Sequence, residues 1–373
     1  MLNTTIDPGE ISAEQIAEAA ILSLIAFVAF FGNVSLWLII CTEKCLRSPS
    51  NVLILSLSAA DLMVSAVNMP VIVYTIIIAR WPFSQSACTG LGFSTMLTFV
   101  ASVMNLGTIS INRYIHICHP AKFKTLYSYR NAFLFVLGTW CLSICLASPP
   151  LMGWCRYDYI PSQRYCFAYW KDSVSYTYFM VGMCFGGPCS VMTYCYANIL
   201  REHRQSMQRV DIDPSGTLTA GRKRLSLTRK SKHPKVTPET IVSEWRRQRA
   251  LRRRQEELRL TTSLFVVICC FVVCWLPFCI AMFLWVHGQT APKSFDLATL
   301  LLGCFNSAIN PFIYGVMNRK FRQGYIKLFF CFRKNLTINS NSAEDSVENK
   351  NLSNPATPNN NSPQKDKMAE VHV

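Results

Sequence analysis

The stretch "TISINRYIHICHP", residues 108–120, ends an apolar run in Asn112, the fixed positive charge of Arg113, and Tyr114. Its meaning depends on whether that run lies in a bilayer, and the rest of the chain decides this. Of 373 residues, 51% are apolar and only 16% charged, and the mean hydropathy is +0.22. The charge is also segregated. Windows of about 20 mainly apolar residues, enough to cross roughly 30 Å of hydrocarbon, occur at 19–41, 52–79, 89–111, 132–153, 173–200, 260–286 and 295–317. Runs this long are not the short alternation of barrel strands, and helices satisfy their own backbone groups in lipid. The expected fold class is therefore an all-α membrane protein, a seven-transmembrane helix bundle.

Seven spans place the termini on opposite sides, and the basic residues choose the sides. Segments after spans 1, 3 and 5 carry Lys44 and Arg47, then Lys122, Lys124 and Arg130, then a dense basic stretch over 201–259; the opposite loops hold few, such as Arg80, Arg156 and Lys293. Lys and Arg collect on the cytoplasmic side, so the amino terminus is expected outside. Residues 1–18 read as an extracellular segment and the first span as a retained signal anchor, 19–331 as the membrane domain with its cytoplasmic loop 201–259, and 332–373 as a disordered cytoplasmic tail rich in Asn, Ser, Pro and charge. Asn3 begins a glycosylation sequon on the outer side. The net charge of +16 sits in cytoplasmic loops without stacking aromatics, which suits orientation and anionic membrane lipid and excludes nucleic acid as a partner.

Most of the seventeen cysteines fall within spans, where a thiol acts as a small apolar group. On the oxidising side are Cys88, at the head of span 3, and Cys155 and Cys166 in the loop after span 4. Spacing leaves both Cys88–Cys166 and Cys88–Cys155 open. Apart from Cys and Tyr, one acid reads as buried within the spans, Asp61. A carboxylate at mid-membrane costs on the order of 3 kcal/mol and needs partners or a cation. Asn33, Ser102, Asn306 and Asn310 are available at that depth, and either a structural hydrogen-bond knot or a sodium site fits. One acid is too few for a proton relay, so a channel or transporter is the weaker alternative. No HExxH or GxSxG is present, and the chain reads as no enzyme. Prolines 70, 188, 277 and 311 interrupt four spans and are expected to kink them.

Gly32-Asn33, "LSAAD" with Asp61, Cys88, Asn112-Arg113-Tyr114, Trp140, Pro188 with Tyr196, "CWLP" with Trp275, and "NPFIY" with Asn310, Pro311 and Tyr314 occur in order along the seven spans. Together they resemble the rhodopsin-like family of G-protein-coupled receptors, up to about residue 331. The resemblance implies a plasma-membrane receptor that takes a small-molecule ligand and acts on a heterotrimeric G protein, with arrestin and receptor kinases as further partners. It implies no cofactor beyond a bound sodium ion at Asp61, Ser102, Asn306 and Asn310. It makes Arg113 the cytoplasmic switch, supported by Tyr196 and Tyr314, and couples Trp275 to the ligand. Most members carry an acid where Asn112 stands. Glu257, at the inner end of span 6, is left to hold Arg113 at rest, unless it pairs with Arg253 one turn earlier. A partly exposed ion pair is worth about 1 kcal/mol or less, and its loss would still raise basal activity several-fold.

Residues 111–128 and 305–325 are most similar to the melatonin-receptor branch and its invertebrate orphan relatives, and an inhibitory G protein is implied by that likeness. Two polar positions of that branch, an Asn in span 4 and a Gln in the following loop, are Pro150 and Trp170 here. The amine-binding branch needs a span 3 acid near Thr95, and opsins need a lysine where Cys304 stands; both are missing. The expected pocket of Thr95, Met96, Phe99, Phe167, Trp275, Phe278 and Cys279 suits a neutral or lipid-like ligand. In the cytoplasmic parts, Ser226 follows basic residues as a kinase site would, Cys331 suits palmitoylation, and Val371-His372-Val373 suits a PDZ domain.

Overall fold

The computed structural model describes the backbone of residues 11–211 and 238–330. Asn3, Ser226, Cys331 and the carboxyl-terminal tail lie outside the described residues. Seven membrane spans form the bundle: α1 (Ala13–Thr42); α2 (Pro49–Met63) continued by α3 (Met69–Ile78); α4 (Gln85–Cys118); α6 (Tyr129–Ala147), after the short α5 (Pro120–Leu126); α7 (Val174–Val181) continued by α8 (Gly187–Asp211); α9 (Pro238–Val286); and α10 (Lys293–Met317). A further helix covers 319–330.

Serine sets many of these boundaries. Ser12, Ser48, Ser84, Ser128 and Ser173 each cap a helix by accepting a hydrogen bond from a backbone N–H three residues on, a contact worth about 1 kcal/mol because it satisfies a donor the helix cannot. Ser12 and Gln15 form a reciprocal capping box, so α1 begins at Ala13, earlier than the expected span at 19. The inner ends of spans 5 and 6 overrun into the basic stretch expected to be loop, to Asp211 and from Pro238. Long basic side chains carry a helix past the membrane without breaking it.

Two prolines produce wide turns rather than simple kinks. A single π-turn, Val64–Asn68, joins α2 to α3 just before Pro70, and another, Gly182–Gly186, joins α7 to α8 just before Pro188. Proline removes an N–H and crowds the carbonyl four residues back, and a π-turn absorbs both faults by taking in one extra residue. Spans 2 and 5 are each divided in this way, and the described part of span 5 is not among the six helices long and apolar enough by themselves to cross a membrane. Pro277 and Pro311, by contrast, lie inside continuous helices.

The helices are apolar outside and selectively polar inside. Leu24, Phe27, Phe133, Leu137, Val273 and Phe312 are exposed on the outer faces, whereas Asn33, Asp61, Asn68, Asn105, Asn306 and Asn310 are buried. That inversion of a soluble protein is what lipid selects. The span 4 Trp140 donates its indole N–H to Ser56 at 3.0 Å, fastening α6 to α2.

The loop after span 4 forms a hairpin across the outer mouth: β1 (Tyr157–Ile160) pairs antiparallel with β2 (Tyr165–Ala168). Cys88 is bonded to Cys166, tying β2 to the head of α4, and Cys155 stays a free, buried thiol. Gly92 lets the hairpin settle, since a Cβ there would run into the Tyr157 ring at 2.7 Å. At the hairpin turn Arg164, with φ +56°, reaches Glu18 of α1 at 3.3 Å. Glu18 and Asp296 are 5% and 3% exposed, so Asp61 is not the single buried acid expected from sequence. Both lie near helix ends, where hydropathy windows lose resolution.

Candidate functional site

At the middle of the bundle, Asn33 binds three helices. Its amide donates to the carbonyl of Ser307 on α10 at 3.0 Å and its oxygen accepts from Ser58 on α2 at 2.8 Å. One turn deeper, Asn310 donates to Asp61 Oδ2 at 2.8 Å, and the Ser307 hydroxyl lies beside the same carboxyl group. Asp61 Oδ1, Asn306 Oδ1 and Asn310 Oδ1 are buried acceptors without a hydrogen-bond partner. Buried acceptors without donors are costly. Hard cations are held by such carboxylate and carbonyl oxygens, so this donor set fits the expected ion. Ser102 stands just above, in the floor of a cavity with Asn306 and Ser307.

That cavity, of about 60 Å³, is bounded by Thr95, Phe99, Phe167, Trp275 and Phe278, five of the seven expected pocket residues. Phe99 and Trp275 pack at 4.2 Å between ring centroids. Gly303 permits this arrangement, because a Cβ there would stand 3.2 Å from the Trp275 ring. Met96 and Cys279 do not line the cavity: Met96 is fully buried in the apolar core, and Cys279 turns toward Cys184 and Cys189 of span 5. Both sit one position along their helices from a lining residue, a rotation of about 100°. Sequence reasoning missed Asn68, Thr98, Thr299 and Tyr165 in the lining. The π-turn carries Asn68 inward, where it accepts from Ser94 at 3.1 Å and donates to Thr98 at 3.4 Å. A neutral polar residue two before a proline in an apolar span was the available signal.

At the cytoplasmic end, Arg113 is 6% exposed. Tyr196 of α8, Tyr314 of α10 and Tyr127, next to α5, all stand within electrostatic reach of its guanidinium. Tyr127 also lies beside the buried Asn112 and was absent from the sequence reading. Tyr314 stacks on Phe321 at 5.7 Å, while Tyr114 faces outward to His119 Nε2 at 3.1 Å. Tyr114 thus stands apart from the Arg113 cluster. Glu257 belongs to α9, but its side chain lies outside the described ones.

A central polar lock, an aromatic cavity above it and a buried arginine below, on seven spans, narrow the fold to one kind. The profile of the family described as 7 transmembrane receptor (rhodopsin family) matches residues 32–314. The chain belongs to that family. The receptor is 28% identical to melatonin receptor type 1B-B of Danio rerio, over 89% of this chain and 88% of that one. It is 29% identical to melatonin receptor type 1C of Xenopus laevis, over 98% and 82%. The crystal structure of squid rhodopsin superposes with a TM-score of 0.69 at 21% identity, covering 87% of this chain and 86% of that one, a likeness of fold. The receptor is a class A G-protein-coupled receptor related to the melatonin receptors, a multi-pass protein of the plasma membrane and not an enzyme. Its partners by family are a heterotrimeric G protein and a small molecule, which sets aside the channel or transporter alternative.

Proposed function

We propose that the receptor responds to a small neutral or lipid-like ligand in the inner cavity and signals through an inhibitory-class G protein with measurable basal activity. The observation that carries the ligand class is the lining: among the described residues it includes no Asp, Glu, Lys or Arg. A charged ligand would enter with its charge unpaired, at a cost of several kcal/mol. At about 60 Å³ the cavity is smaller than the roughly 300 Å³ of a common ligand site. Ligand entry therefore has to part Phe99 from Trp275, and Trp275 lies on α9 close to Pro277, the helix's weak point. Motion of α9 is then the route by which occupancy reaches Arg113.

Pro150 and Trp170 stand where the melatonin branch has two polar groups; both are buried and neither lines the inner cavity. Asn112 supports basal activity because it cannot pair with Arg113 as an acid would. The vacant oxygens of Asp61, Asn306 and Asn310 support a bound sodium ion that favours the resting arrangement. Arrestin, receptor kinases, membrane lipid and a PDZ protein remain part of this reading on family and sequence grounds alone.

The test is nucleotide exchange on a panel of purified G proteins with membranes carrying wild type or Arg113→Ala. Exchange on the inhibitory class without ligand, lost on Arg113→Ala at equal surface expression, supports the reading. Wild type no better than mock membranes sinks it.

A further inference from the structure

A second, larger cavity of about 330 Å³ lies further out, between the hairpin loop, the outer end of α9 and the start of α10. A wall of rings separates it from the inner one: Phe167 and Phe278 face inward, Trp170 and Trp285 outward, with centroids 5.7 Å apart for Phe167–Trp170 and 5.9 Å for Phe278–Trp285. The outer space has what the inner space lacks, namely charge. Asp296 lines it with a side chain 3% exposed; Ser162 and Trp285 lie against its carboxyl group, and Oδ1 has no hydrogen-bond partner. Trp170, also in the lining and 3% exposed, has a buried indole N–H without a partner. Lys171 and Lys293 stand exposed at the rim. Lys293 touches Glu14 at 3.5 Å, a pair more than half exposed on both sides and so easily exchanged.

A buried carboxylate oxygen and a buried N–H, both vacant, in one cavity demand opposite complements from an occupant: a strong donor for the first and an acceptor for the second. A plain amine satisfies the acid and leaves the indole and the lysines unmatched. A plain carboxylate satisfies those and meets Asp296 as a like charge. A zwitterion answers both, and flat walls of Trp170, Trp285 and Tyr169 suit an aromatic body between its charges.

We propose that this outer cavity is a binding site for an aromatic α-amino acid or a close zwitterionic analogue, its ammonium on Asp296 and its carboxylate toward Trp170, Lys171 and Lys293. The site is separate from the inner cavity and holds whether or not the inner ligand is neutral. The test reads binding, not signalling, so its failure is distinct from failure of the function proposed above. Purified receptor in nanodiscs is examined by ligand-observed saturation-transfer NMR with phenylalanine, phenethylamine and 3-phenylpropionate as probes, on wild type, Asp296→Asn and Lys171→Gln. Phenylalanine should bind in the millimolar range, more tightly than either single-charge probe. Its affinity should fall about tenfold on Asp296→Asn, the loss of one charged contact, and several-fold on Lys171→Gln. Lys171 is exposed, so that variant keeps the test valid should Asp296→Asn fail to fold. No phenylalanine signal at millimolar concentration, equal binding of all three probes, or phenylalanine binding unchanged in Lys171→Gln would each overturn the proposal.

Discussion

Replacing Arg164 by Met would strand Glu18. The two side chains are 13% and 6% exposed and lie 3.3 Å apart, and Arg164 Nη1 also donates to the carbonyl of Ile76 on α3 at 3.3 Å. At an effective dielectric of about 20 the attraction is about 5 kcal/mol, much of it offset by the desolvation of both ions. Removing one partner leaves the other's desolvation uncompensated, and buried pairs broken this way lose about 3–5 kcal/mol. Thermal unfolding in detergent at pH 7 should place Arg164→Met about 3 kcal/mol below wild type, several degrees in Tm at this size. The double variant Glu18→Gln, Arg164→Met should be more stable than Arg164→Met alone at pH 7. A wild-type-like Tm for Arg164→Met, or additive effects of the two changes, would refute the view that this pair is a buried clamp between hairpin and bundle.

Three further outcomes follow from the geometry. Asn112→Asp puts an acid beside Arg113 at a buried position and should lower basal nucleotide exchange at least about five-fold; an unchanged or raised basal rate contradicts the role given to Asn112. Sodium at ten times its dissociation constant should stabilise wild type by about 1.4 kcal/mol over N-methylglucamine, read as Tm at constant ionic strength, and Asp61→Asn should erase the difference. Burial pushes the Cys155 thiol up to about 11, leaving little thiolate at neutral pH; iodoacetamide should label it slowly on intact cells at pH 7.4 and faster as the pH approaches 10, and rapid labelling at neutral pH would show the loop to be open.

Much of the bundle is legible in the sequence because hydropathy reports burial in lipid directly. The window at 295–317 falls within α10, and the one at 52–79 overlaps α2 and α3 almost throughout. Ends are less legible, because a cap or a basic extension is decided by hydrogen bonding and propensity rather than by lipid. That is why α1 starts at Ser12's cap and why the buried pair of Glu18 with Arg164 lies outside any apolar window. The cavity was readable to the level of helix and depth. Facing was not: Thr95 and Phe99 line it while Met96 packs behind them. The choice between Cys155 and Cys166 needed the hairpin's register, which sets Cys166 opposite Tyr159 and against α4. Asp296 escaped notice because an acid at a helix's outer end looks solvated until the loop above it is in place.

The two wide turns each hold one residue more than an ordinary α-helix would need. Each spare residue advances everything outward of it by about 100° around its axis and about 1.5 Å along it. The inner halves of spans 2 and 5, which carry Asp61 and Tyr196, are thereby turned relative to their outer halves, and the outer half of span 2 lines the inner cavity. Losing a single residue within 64–68 or 182–186 would re-aim one half and spare the other. A fold with that freedom can revise what it senses without rewriting how it reports.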